Sequence, residues 1–269
     1  MFGTEYSFNH FKPSSFNESP GEDTPEGKID VQSLSAYALY GLNNKANIIL
    51  VVPFERWRQS VNVSNVHMRN ETISGIGDIM IGVRVLVKNQ TTTTGHRFFA
   101  GVNFSIPTGD SFNIKLYSDA AFSAPHNHFA IGKGNYTSTL NFEYWHRPGI
   151  PVLAGVSGAY NFALNESSVG FRSGDKIFFD LQATILKTVF WNSYPYFKLR
   201  YQYNSPDQWD NADSRNTGGK YINGTTAFIV NVNESFSVIS FADFPLWRSL
   251  KGAQLDNFIF SVSFRKMLR

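Results

Sequence analysis

The chain has 269 residues, room for one large domain or two small ones, and it has no cysteine, which excludes disulfides, thiolate metal sites and cysteine nucleophiles. Charged residues make up 17%, below the roughly 25% of ordinary soluble domains, while aromatic residues reach 16% and favour β structure. The net charge of +3 is scattered, with no basic run that would mark a nucleic-acid surface, and the longest apolar run (residues 48–54) is about a third of what a membrane-spanning helix needs.

Residues 1–12 carry no basic n-region followed by an apolar h-region. An exported chain is therefore expected either to have lost its leader at a cleavage site or to lack its true start. From there the sequence alternates with a period of two, in units bounded by Gly, Asn, Pro or Ser. Strands are predicted near 2–12, 28–40, 46–56, 75–88, 96–106, 133–146, 152–164, 174–187, 195–205, 220–232, 235–247 and 255–266. Residues 75–88 show the pattern best: Ile79, Ile81, Val83, Val85 and Val87 oppose Asp78, Met80, Gly82, Arg84, Leu86 and Lys88. A helix would mix these sets and a strand separates them. In 136–145, Leu140, Phe142 and Tyr144 oppose Thr137, Thr139, Asn141 and Glu143. In 177–187, Phe179, Leu181 and Ala183 oppose Phe178, Asp180 and Gln182, and in 196–204, Phe197, Leu199 and Tyr201 oppose Lys198, Arg200, Gln202 and Asn204. Faces are ambiguous in 28–40 and 235–247.

Connections alternate long and short. The short ones are 41–45, 89–95, 147–151, 188–194 and 233–234; the long ones are 13–27, 57–74, 107–132, 165–173, 206–219 and 248–254. This is the pattern of an up-and-down antiparallel barrel with short periplasmic turns and long outer loops. The expectation is all-β: one transmembrane barrel of about 12 strands over residues 1–269, in a Gram-negative outer membrane, with both termini periplasmic. Mean hydropathy of −0.23 does not oppose this, because averaging over both faces hides the apolar one. Closure follows from physics: hydrocarbon offers no partner to backbone N–H and C=O, so a spanning sheet has no free edge. Pro53, Pro195, Pro206 and Pro245 fall near predicted strand ends, where a missing N–H costs least. Tyr40, Tyr144, Trp145, Trp191 and Tyr194 near short turns, and Trp57, Tyr201, Tyr203, Trp209 and Trp247 near long loops, suit two interfacial girdles.

Several segments resemble one family. Residues 37–45 (YALYGLNNK) with Val52–Pro53–Phe54 look like its YGL hairpin, and Gly75–Ile–Gly–Asp78 with Gly82 like its GxGDxxxG strand start. Residues 106–110 (IPTGD), Ile131–Gly–Lys–Gly134 and the stretch from Phe244–Pro245 to Gln254–Leu255 follow in the same order. The family is the outer-membrane β-barrel transporters known as the MetA-pathway of phenol degradation family, and the match runs over about residues 28–266. Lys133 departs from it, standing where a small residue is usual, and the first strand is short. The resemblance implies an outer-membrane barrel with a transport role and no particular substrate.

Chemistry-bearing motifs are sparse. His126–Asn–His128 could share a metal or supply a base, with Asp110 and Asp119 as candidate partners, but neither a third ligand nor a nucleophile is fixed nearby. Gly75-x-Gly77 and Gly132-x-Gly134 lead into strands, so no helix dipole is available for a phosphate. Asn-x-Ser/Thr triplets beginning at Asn62, Asn70, Asn135 and Asn223 are expected by chance in an Asn-rich chain. The polar strand face is the candidate site: Asp78, Arg84, Glu143, Asp180, Gln182, Lys198, Arg200, Gln202 and Asn204 are predicted to line the lumen. An arginine costs about 2–4 kcal/mol on a lipid face at mid-bilayer and much less in a wet interior, so these charges mark the inside. Both signs are present, which predicts a mixed lumen. It is either open or filled by paired charges, for example Arg84 with Asp180.

The function expected is a channel or transporter for small solutes, hydrophobic or aromatic ones included, with no catalytic residues, metal or cofactor. The alternatives are a structural or accessory subunit of a larger envelope complex, and a rim-located lipid hydrolase using His126 or His128. Expected partners are outer-membrane lipid and lipopolysaccharide, the solute and envelope proteins, with no nucleic acid.

Overall fold

The computed structural model describes residues 1–13, 26–62, 71–90, 95–110, 130–214, 217–251 and 255–267. The wall consists of β1 (Phe2–Pro13), β2 (Glu26–Gly41), β3 (Ala46–Asn62), β4 (Glu71–Ile76), β5 (Ile79–Asn89), β6 (His96–Ile106), β7 (Thr137–His146) and β8 (Val152–Ala163). It continues with β10 (Lys176–Ile185), β11 (Ser193–Asn204), β14 (Gly219–Asn231), β15 (Phe236–Leu250) and β16 (Leu255–Lys266), after a two-residue β9 (Phe171–Arg172) in the intervening loop. Two further short segments, β12 (Gln208–Trp209) and β13 (Ala212–Asp213), form a small separate sheet in which β12 pairs with both β9 and β13. Each wall strand pairs antiparallel with its neighbours, and β1 meets β16, so the sheet closes. β4 and β5 share one place beside β3, which makes the fold a closed barrel of twelve strands.

The period-two pattern becomes two surfaces. On β10, Leu181 is 59% exposed while the adjacent Asp180 is 7% exposed. Ile81, Val83, Val85, Leu140, Phe197, Leu199, Phe258, Phe260 and Phe264 likewise face outward and exposed. An apolar outer face around a polar interior inverts the soluble pattern and suits lipid. A 10-residue strand such as β10, tilted by about 40°, rises about 25 Å, the height of the apolar band in such barrels.

Three departures from the sequence expectation have local causes. First, 75–88 is not one strand. Phe54 pairs with Ile76 and Val51 with Met80, so the β4–β5 side carries one extra residue at Gly77–Asp78. That bulge flips the faces: Ile76 points out on β4, whereas Ile79 and Ile81 share the outward face of β5. Pro53 lies opposite this break, accepting Gly77 N–H at 2.8 Å, so its missing N–H interrupts an already broken ladder. Second, β15 skips a residue between Pro245 and Trp247, leaving Leu246 and Trp247 both exposed. The unreadable face of 235–247 has another cause: Ile239 and Phe241 share the inward side of Asp243, so apolar residues stand on both faces. Third, 57–62 and 71–74 are strand rather than loop, so β3 and β4 continue as a paired ribbon above the apolar band.

The girdle expectation is corrected for three tryptophans. Trp145 lies on the inward face, its ring covering Gly155 and its Nε1 donating to Glu143 at 3.2 Å. Trp57 faces inward and donates to Glu55 at 2.6 Å, and Trp209 packs on Phe171, ring centroids 5.1 Å apart. Tyr40, Tyr144 and Trp191 at the turn end, and Trp247 at the loop end, are exposed. Trp191 is 87% exposed at φ +44°, followed by Asn192 at φ +52°, and Ser193 N–H reaches Phe190 O at 2.8 Å. This is a two-residue turn with positive φ at both central positions, the twist hairpins prefer.

Candidate functional site

The predicted polar residues, apart from Asp78 at the bulge, alternate with the exposed apolar residues of their strands, and register sets which of them are lateral neighbours. Phe99 pairs with Glu143, Glu143 with Ser157, Ser157 with Asp180, Asp180 with Arg200 and Arg200 with Asn223. These residues of six consecutive wall strands are therefore lateral neighbours in one belt that runs across the strands. Arg200 clasps Asp180 with Nε at 2.7 Å and Nη2 at 2.8 Å, a two-point contact that fixes both side chains. Ser157 Oγ donates to Asp180 at 3.2 Å and receives Gln182 Nε2 at 2.8 Å; Tyr196 OH donates to Gln182 Oε1 at 2.7 Å. Arg84 reaches Glu143 at 2.7 Å, with its guanidinium 3.9 Å from the Phe99 ring centre. The expected pairing of Arg84 with Asp180 is thus replaced by Arg84–Glu143 and Arg200–Asp180, because register sets which carboxylate sits beside which guanidinium.

Other predicted residues lie elsewhere on the same face. Lys198 sits across from Gln182 and Thr225, in electrostatic reach of Asp243, Asp180 and Glu5. Asp243 in turn accepts the Thr225 hydroxyl. Gln202 Nε2 donates to Asn204 Oδ1 at 2.8 Å near the loop end. Asp78 stands apart from the belt. The bulge turns it to the loop end, where its Oδ1 accepts Gly109 N–H at 3.1 Å and its Oδ2 accepts Lys133 N–H at 3.0 Å. Thr108 braces the same corner, its hydroxyl donating to Gly77 O at 2.8 Å and accepting Ile79 N–H at 3.0 Å.

Those bonds hold residues 130–134, which the sequence placed partly in a strand, as an inward fold of chain. Gly132 packs on the Gly109 backbone and the Asp78 carboxylate with no room for a Cβ. Beneath lies a cavity of about 340 Å³ lined by Pro53, Glu55, Trp57, Lys133, Phe171 and Lys176 among others. Asp78, Asp207 and Ser173 complete its polar wall. Burial and the neighbouring Lys176 charge push the Lys133 ammonium down to about 8, against the opposing pull of Asp78 and Asp207. Buried Asn135 anchors the next turn, its Nδ2 donating to Ser173 Oγ at 3.2 Å.

Lys133, Lys176, Glu55 and Trp57 were not in the sequence-based site. The available signal was the lysine inside the Ile131–Gly134 glycine motif, where a small residue is usual in the family it resembles. His126, His128 and Asp119 lie outside the described residues. Asp110 is described, and its carbonyl accepts Gly132 N–H at 3.2 Å.

The class this geometry defines is the outer-membrane type of closed β-barrel, and comparison with solved structures agrees. An outer membrane channel from Pseudomonas putida F1 superposes with a TM-score of 0.72 at 12% identity, over 99% of this chain and 95% of that one. The β domain of the Bordetella autotransporter BrkA gives 0.52 at 7% identity, over 99% of each chain. The transport unit of the autotransporter AIDA-I from Escherichia coli gives 0.50 at 8% identity, over 99% of this chain and 90% of that one. At these identities the likeness establishes the fold. No protein-family model matches the chain, and no curated protein matches its sequence.

Proposed function

We propose that this protein is an outer-membrane channel for small solutes, including hydrophobic and aromatic ones, with its short turns and termini in the periplasm and its long loops outside. The observation that carries the reading is the inversion of faces in a closed ring: Leu181 is exposed beside a buried Asp180 on the same strand. Such a wall hides its backbone from lipid and keeps a hydrated interior. The nine polar residues from Asp78 to Asn204 are read as the lining of that interior. Their paired charges of both signs form a mixed surface, suited to small polar or amphipathic solutes more than to a single ion type. Inward-facing Trp57, Phe99 and Trp145 add aromatic surface beside the charges. The similarity to a protein solved as an outer membrane channel, over nearly the whole length of both chains, supports the same reading.

On the outside, Arg56 and Arg58 are exposed at the loop end of β3, suited to lipopolysaccharide phosphates. The test is single-channel recording of the folded barrel in planar bilayers. Discrete steps above the protein-free bilayer are expected, and swelling of proteoliposomes in small-solute gradients should accompany them. A folded, inserted barrel that gives neither steps nor swelling overturns the proposal.

A further inference from the structure

We infer that the loop-end cavity is a binding site for a small monocarboxylate with an aromatic or apolar body, held by the ammonium groups of Lys133 and Lys176. This deepens the channel reading and rests on it for how solute reaches the site.

All three acids of the cavity accept protein donors. Glu55 takes the Trp57 indole N–H, Asp78 takes two backbone N–H groups, and Asp207 Oδ1 takes Gly174 N–H at 2.7 Å. Neither lysine forms an ion pair within 4 Å among the described residues. Two cations from different parts of the chain, one on the inturned loop and one at the start of β10, thus face the same space and repel each other. An anion between them relieves that repulsion and gains two charge-assisted hydrogen bonds. The inturned loop is fixed through its backbone by Asp78, which holds the Lys133 ammonium at the cavity, where Asp78 and Asp207 attract it from beyond 4 Å.

The rest of the cavity limits the anion. Trp57, Phe171, Ile131 and Pro53 supply apolar wall, which a bare inorganic ion would leave unused. The three carboxylates nearby repel any anion, and a dianion about twice as strongly, so the ligand carries a single negative charge. About 340 Å³ is at the lower end of small-molecule sites, enough for one ring and its carboxylate.

The test is isothermal titration of the folded barrel in detergent micelles with benzoate, benzamide, benzylamine and acetate. Benzoate should bind saturably at one site, with neutral benzamide, cationic benzylamine and ring-less acetate each at least about tenfold weaker, about 1.4 kcal/mol. Lys133→Met and Lys176→Gln should each weaken benzoate about tenfold, with folding verified by the heat-dependent gel shift of the barrel. Binding should also fall as the pH rises through about 8 and Lys133 loses its charge, while Lys176 and the acids Glu55, Asp78 and Asp207 still face the site. The inference is overturned if benzoate does not saturate, if benzamide or benzylamine equals it, or if both folded variants bind it unchanged. Bilayer recording on the same preparation separates the two proposals. Conductance without benzoate binding leaves the channel and removes this site; binding without conductance keeps the site and removes the channel.

Discussion

Midway along the barrel, Arg84 and Arg200 each hold a carboxylate, whereas at the loop end Lys133 and Lys176 face carboxylates that other donors already occupy. Both regions are polar, inward and mixed in sign, yet they do different work. In the belt, Arg200 meets Asp180 across one strand pair and Arg84 reaches Glu143 over the intervening β6, and these contacts fix the shape of the wall. In the cavity, the acids bond to the chain and attract Lys133 only from beyond contact, so among the described residues neither lysine holds a carboxylate within 4 Å. Residue types alone do not distinguish structural charge from binding charge; which oxygens are already bonded does.

The largest expected effect tests the face that both regions share. Leu181→Arg places on the outside the same group that Arg200 carries inside, and should cost about 2–4 kcal/mol in chemical unfolding from lipid vesicles. A cost under about 1 kcal/mol would mean that the outward face does not meet hydrocarbon. Next is the belt. Asp180→Asn should cost about 2 kcal/mol, as for a hydrogen bond to a charged group. It should fall short of the fully buried case because the Arg200 side chain is 33% exposed. Arg200→Gln added to Asp180→Asn should recover part of the loss, and a purely additive double variant would show that the pair is not coupled.

At the loop end, Gly132→Ala forces a Cβ into the Gly109 backbone and the Asp78 carboxylate, so the inturned loop must shift. Overpacking of this kind costs about 1–3 kcal/mol when confined to a rigid core. Here the loop should yield at the lower end of that range, and benzoate affinity should drop several-fold while the belt is untouched. A test by pH concerns Lys133 itself. Its folded-state value of about 8 lies below the ordinary 10.5, so the folded chain binds fewer protons between those values. Stability should therefore rise as pH goes from about 8 to 10.5, and this slope should vanish in Lys133→Met. A Lys133→Met barrel less stable than wild type at pH 7 would mean that the lysine is a structural partner, like those of the belt.

Most of the wall was legible in the sequence because its signal is local. The placement of Val83 against Arg84, or Leu181 against Asp180, needs only the two-residue period of an extended chain. Legibility failed where a residue was added to a strand and where apolar residues fell on both of its faces. The bulge at Gly77–Asp78 changes face without changing composition, so 75–88 read as one strand, whereas 235–247 read as neither face because Ile239 and Phe241 share the side of Asp243. The tryptophans misled for a related reason: nearness to a loop or turn suggests an interface, but parity sends Trp57 and Trp145 inward. The cavity was hidden more deeply, since its two lysines lie on separate elements and meet only because Asp78 pulls residues 130–134 over the barrel mouth.

The sequence by itself determined that alternate residues of a dozen extended segments would part into an apolar and a polar face, and that long and short connections would join them up and down. Periodicity and turn chemistry act over a few residues and need no knowledge of distant chain. Only the tertiary structure decided that Arg84 meets Glu143, that Arg200 meets Asp180, and that two lysines are left facing one cavity. Those outcomes depend on strand register, on the closing of β1 against β16, and on an inturned loop, and each is set by contacts between residues far apart in the chain.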